Sequence, residues 1–122
     1  MNIFIWVSLG GALGASLRYS SSVILKNFYP NFPFGTLFVN ILGSFLIGVL
    51  MSYLENKNIS ENFIKYFLII GMLGSFTTFS TFSFDALDLM NSHKFLISII
   101  YILLSVLGCL FFAFLGFNMN KI

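Results

Sequence analysis

Four apolar stretches, very little charge and a polar, glycine-bearing third stretch predict an all-α integral membrane protein of four transmembrane helices. The chain of 122 residues is 58% hydrophobic and only 8% charged, whereas an average soluble protein is about 25% charged. A soluble fold of this composition would have almost nothing to put on its surface, so lipid is the expected solvent. Each stretch is near the ~20 helical residues that cross a hydrocarbon core. A length of 122 residues suits one domain, 1–122, and not two.

The first helix is expected over about 3–25, closing at the polar, proline-marked turn of residues 26–33. Residues 1–15 are apolar and end in small side chains, as a leader would. They lack a positive n-region, and the apolar pattern runs on past any cleavage point, so they read as part of the first span. The second helix is expected over about 34–54, stopping at Glu55-Asn56-Lys57-Asn58. The third is expected over about 62–89, with a weak centre, and the fourth over about 95–117, ending at Asn118 and Lys121.

Four spans put both termini on one side, and the loop cations should say which. Lys26 and Lys94, with Arg18 near that end of the first helix, face Lys57, Lys65 and Lys121 on the other side. Neither orientation is favoured, which suggests insertion both ways and an antiparallel homodimer; a topology fixed by lipid or by a partner is the duller alternative. Gly10, Gly14 and Arg18 repeat at i, i+4, as do Asn40, Ser44 and Gly48. Such spacing lets helix backbones approach closely in a membrane, and the glycines are read as builders of the fold.

Several functions are excluded early. A net charge of +2 without a basic run is no nucleic-acid footprint. One cysteine, Cys109, cannot form an intrachain disulfide, and one histidine, His93, makes no metal cluster. The usual routes to enzyme chemistry are therefore empty.

The polar residues that remain inside the spans are the candidates. Arg18 lies several residues inside the first helix, where an arginine costs about 2.5–3.5 kcal/mol even on the mildest scale. It either snorkels to the interface or faces a water-filled vestibule and draws in anions. Asn40 either glues helices together or offers its amide as a neutral anion donor. In the third stretch, residues 71–83 hold two glycines, Gly71 and Gly74, and six hydroxyl side chains. Glycine weakens a helix and Ser/Thr compete for its backbone bonds, so a break is expected near Gly74 to Thr77, with a mere kink as the alternative. Freed carbonyls there could bind a small hard cation. Phe79 and Phe82 follow on one face, and the positive edge of a phenyl ring can approach a small anion. Ser98, Tyr101, Ser105 and Cys109 form a polar stripe on the fourth helix, either for interhelical bonding or beside a path. Neutral donors, one cation at an entrance and no carboxylate clearly at mid-span suit a small-anion channel.

Gly10-Gly11-Ala12-Leu13-Gly14-Ala15 with Arg18-Tyr19, Gly35-Thr36-Leu37-Phe38-Val39-Asn40 with Gly43, and Gly71 and Gly74 leading into Thr77-Thr78-Phe79-Ser80-Thr81-Phe82 carry a resemblance. Over essentially the whole chain, the sequence resembles the Fluc (CrcB) fluoride-channel family. The resemblance implies a passive fluoride-selective channel in a bacterial plasma membrane, an antiparallel homodimer with two pores that lets toxic fluoride out. It implies a fluoride pathway along Asn40, Phe79, Phe82, Thr81, Tyr101 and Ser105, with Arg18 in a vestibule. It also implies that backbone carbonyls of Gly74 and Thr77 hold a central, structural sodium ion that is not transported. The chain departs at Cys109, where a third Ser or Thr is expected and the thiol is a weaker donor, and at Asp85, where many relatives carry glutamate. A small dual-topology multidrug exporter is the rival reading. That class resembles a chain with a glutamate in its first helix, where this one has Arg18 and no carboxylate.

Overall fold

The computed structural model describes residues 2–56 and 62–119, and all regular structure among them is helical. Lys57 and Lys121, used above in the charge balance, lie outside the described residues. Helix α1 spans Ile3–Phe28 and α2 spans Phe34–Asn56. A π-helix, Phe63–Leu73, leads into the single turn α3, Gly74–Phe76. Then come α4, Phe79–Asn91, and α5, Phe95–Asn118.

Three of the segments are long and apolar enough to cross a membrane: Phe34–Glu55, Phe63–Asn91 and Phe95–Asn118. The sequence reading expected four. Helix α1 is long enough at 26 residues, but Arg18, Lys26 and five serines dilute its apolar content. It also runs one turn further than expected, so that Lys26 sits in its last turn and not in the loop. The surface is what lipid requires. Phe4 is 80% exposed, Leu96 71% and Leu110 66%, an apolar exterior that water would not tolerate.

Two packed pairs build the molecule, α1 against the π-helix and α2 against α5. Glycines allow both. A Cβ at Gly10 would strike the carbonyl of Phe67, and one at Gly14 the carbonyl of Met72. In the second pair a Cβ at Gly48 would meet the Ala113 carbonyl, and one at Gly116 that of Phe45. With no water to drive helices together, such backbone approach supplies the dispersion contacts that hold them. Ordered π-helix rarely exceeds one turn, and here it runs for 11 residues along the glycine face of α1. Nothing in the local sequence predicted it.

The turn between α4 and α5 is a Schellman stop. His93 adopts φ 61°, its N–H donates to Met90 O at 3.1 Å, and Lys94 N–H donates to Leu89 O at 2.9 Å. One buried cluster, Phe82, Ala86, Leu89 and Tyr101, joins α4 to α5. A second, Val39, Leu73 and Phe76, seats α3 on α2.

Candidate functional site

The site forms where the third stretch leaves helical geometry. Gly74 is still helical at φ −61°, ψ −32°, but Thr77 (φ −86°, ψ 155°) and Thr78 (φ −151°, ψ 127°) are extended. Thr77 closes the upstream turns, its N–H and Oγ1 both donating to Leu73 O at 3.1 and 3.0 Å. Thr78 opens α4 as its N-cap, Oγ1 accepting from Thr81 N–H at 3.1 Å, the usual service of threonine there.

Two side chains from other helices hold this segment, one at the extended Thr78 and one at Ser75 in the turn before it. Asn40 on α2 accepts from Thr78 N–H through Oδ1 at 2.8 Å and donates from Nδ2 to Thr78 O at 3.0 Å. A side-chain amide is a copy of a peptide group, so it gives Thr78 what a neighbouring strand would. Arg18 on α1 donates from Nε to Ser75 O at 3.0 Å, placing a cation at the carbonyl end of the upstream turns.

These bonds decide which carbonyls are left over. In an unbroken helix Gly74 O would accept from Thr78 N–H, and Thr77 O from Thr81 N–H. Both N–H groups are spent, on Asn40 Oδ1 and on Thr78 Oγ1.

An open recess of about 330 Å³ adjoins the extended residues, and Asn40, Thr77, Phe79, Phe82 and Ser105 all line it. Phe82 is buried and Phe79 is 76% exposed, their rings 5.3 Å apart and tilted by 56°. Ser105 is 5% exposed and its Oγ has no hydrogen-bond partner among the described residues. Tyr101, fully buried, packs its ring 5.3 Å from Phe82 and donates its hydroxyl to Asp85 Oδ2 at 3.2 Å.

Not every expected residue meets in that recess. Thr81 lines a second, polar recess of about 340 Å³ with Thr36, Asp85, Lys26 and Lys94. Arg18, Gly74 and Tyr101 line neither. Ser98, counted in the polar stripe, is spent on Ala86 O at 2.9 Å and ties α5 to α4. The sequence reading gave Thr78 and Thr36 no role. Thr36 sits one turn before Asn40 on the same helix face, and that i, i+4 spacing was the available signal.

A family model described as CrcB-like protein, Camphor Resistance (CrcB), matches residues 5–117. The chain belongs to the CrcB family. Curated members of this CrcB group are similar along nearly their whole length. One from Campylobacter jejuni subsp. jejuni serotype O:23/36 (strain 81-176) is 48% identical over 122 residues, 99% of each chain. One from Shewanella halifaxensis (strain HAW-EB4) is 45% identical over 117 residues, 95% of this chain and 94% of that one. A third, from Flavobacterium psychrophilum, is 38% identical over 107 residues, 87% and 86% of the two chains. Each of these relatives is named a fluoride-specific ion channel, FluC.

Proposed function

We propose that this protein is a passive fluoride channel of a bacterial plasma membrane, crossing it four times and letting fluoride leave the cytoplasm. The carrying observation is the recess in which Asn40, Phe79, Phe82 and Ser105 converge, in a chain 48% identical to a protein named for fluoride conduction. The reading is of a channel and not of an enzyme.

Fluoride is small and holds its water strongly, so a path must replace those hydrogen bonds without trapping the ion. Asn40 keeps one amide N–H after its bond to Thr78 O, and the Ser105 hydroxyl has no partner among the described residues. Both are neutral donors. The edges of the Phe79 and Phe82 rings add a weak positive field, while their faces are inhospitable to anions. From this recess the path continues past Tyr101 towards Thr81 and the second recess, where Lys26 and Lys94 stand beside Asp85 and Asp88. Arg18 uses one of its five N–H donors on Ser75, and the others remain to attract anions in a vestibule.

The leftover carbonyls of Gly74 and Thr77 fit a structural sodium ion, because hard cations take carbonyl oxygen where no carboxylate is needed. Among the described residues no group of three His, Cys, Asp or Glu side chains could serve a metal instead. When bound, sodium would supply a fixed positive charge that satisfies carbonyls from both subunits. An antiparallel homodimer with two pores is supported by the balanced loop cations and by the exposure of Phe79 at 76%. A second copy crossing at the extended residues would cover that ring.

The test is fluoride efflux from liposomes containing the purified protein, with Phe82→Ile and chloride-loaded vesicles alongside. Fast valinomycin-dependent fluoride release is expected, absent for chloride and lost in the variant. No release above empty vesicles, with sodium present and the dimer intact, would sink the homodimeric channel and point to a partner chain or another cargo.

A further inference from the structure

Where a helix opens inside a membrane, the freed carbonyls attract cations, and here one cation is built into the chain. Arg18 is half-buried on α1 and donates from Nε to Ser75 O at 3.0 Å. In an unbroken helix that carbonyl would accept from Phe79 N–H, so it belongs to the same run of freed oxygens as Gly74 O and Thr77 O. Ser75 lies between those two residues in the chain. The bond from Arg18 therefore has two effects. It withdraws one oxygen from the run, and it brings a full positive charge up to the others. The carboxylates of the third stretch, Asp85 and Asp88, line the polar recess, which Arg18 does not. The Thr77 hydroxyl is spent on Leu73 O.

We propose that Arg18 determines the specificity of the cation site at the opened helix, restricting it to monovalent ions. The inference rests on the reading of the Gly74 and Thr77 carbonyls as a sodium site and adds the group that selects the ion. Carbonyl oxygens attract a cation through their dipoles and carry no net charge to offset a guanidinium nearby. The repulsion from Arg18 grows in proportion to the charge of the ion. Calcium is close to sodium in size and carries twice its charge, so it meets twice the repulsion, at a site without the carboxylates it usually takes. In the proposed dimer each subunit brings its own Arg18, and the two charges act together. Arg18 acts through the field and through the carbonyl it holds, which makes it a positioning residue.

The experiment reads the thermal midpoint of the purified full-length protein in detergent. Sodium chloride or calcium chloride replaces choline chloride at constant ionic strength. The concentration at which the midpoint starts to rise reports the dissociation constant of the ion. Wild type, Arg18→Lys and Arg18→Gln are compared, with Lys65→Gln as a control that removes an exposed charge ten residues before Ser75. Both Arg18 variants lose the Nε bond, so any loosening of the carbonyls is common to them and their difference is the charge. Sodium is expected to bind Arg18→Gln about tenfold more tightly than Arg18→Lys, and calcium to stabilise only Arg18→Gln. The Lys65 variant should match wild type. Equal sodium affinity in the two Arg18 variants would overturn the proposal. So would calcium stabilising the wild type as well as sodium does, an outcome readable even where Arg18→Gln does not fold. A wild-type midpoint indifferent to sodium is the separate failure of the sodium site. It removes this proposal too, while fluoride efflux still decides the channel reading.

Discussion

At the residue scale, Asn40 satisfies both main-chain groups of Thr78 with one side chain. Aspartate at this position keeps the acceptor for Thr78 N–H but turns the donor into a second oxygen facing Thr78 O. Asn40→Asp should therefore lose fluoride efflux altogether and lower unfolding stability by about 1–3 kcal/mol, the cost of an unmade buried bond. Efflux and thermal unfolding in detergent check the two parts. Arg18 offers a cleaner separation of roles. Its Nε–H to Ser75 O at 3.0 Å depends on guanidinium geometry, whereas attraction of anions depends only on charge. Arg18→Lys should keep the charge and still increase amide exchange across residues 75–81, and Arg18→Gln should increase it as much. The efflux lost in Arg18→Gln beyond that in Arg18→Lys measures the charge, and it should shrink at high ionic strength.

At the scale of elements, the glycine contacts between α1 and the π-helix leave no room for a methyl group. Gly14→Ala drives a Cβ into the Met72 carbonyl, with Met72 Cα only 3.0 Å away. Overpacking of this kind costs about 1–3 kcal/mol, and loss of monodisperse protein on size-exclusion chromatography would report it. The same change at Gly74 meets nothing nearer than Ile69 O at 3.6 Å, so Gly74→Ala should fold. Between α4 and α5, His93 holds a left-handed conformation at φ 61° that strains any side chain with a Cβ by about 1–2 kcal/mol. His93→Gly should raise the thermal midpoint, and His93→Val should lower it.

At the scale of the whole molecule, the proposed antiparallel dimer rests on near-equal cation counts on the two sides. Loop lysines set orientation in short membrane proteins. Removing Lys26 and Lys94 together should force one orientation and cut efflux in cells to below about a tenth. Co-expression with a chain lacking Lys57, Lys65 and Lys121 should restore it. Failure of the pair to complement would remove the dual-topology reading, since loss of two lysines from the second recess would then explain the defect alone.

Composition by itself determined that this chain is helical and lives in lipid, because 8% charge cannot cover a soluble surface. Glycine and hydroxyl content located the weak centre of the third stretch, since both act on the local backbone. Four apolar stretches were legible in the sequence, and three of the helices they form are long and apolar enough to cross a membrane. What local sequence could not supply is where the helix opens and what fills the opening. Extended backbone falls at Thr77 and Thr78 because Asn40, 38 residues away, pairs with Thr78, and because Arg18, 57 residues away, takes the Ser75 carbonyl. The π-helix likewise lies against a glycine face contributed by α1. The division of the polar residues between two recesses, with Thr81 and Asp85 apart from Asn40 and Ser105, follows from how α2, α4 and α5 cross. Those are contacts between distant segments, and only packing chooses among the partners that each polar group could take.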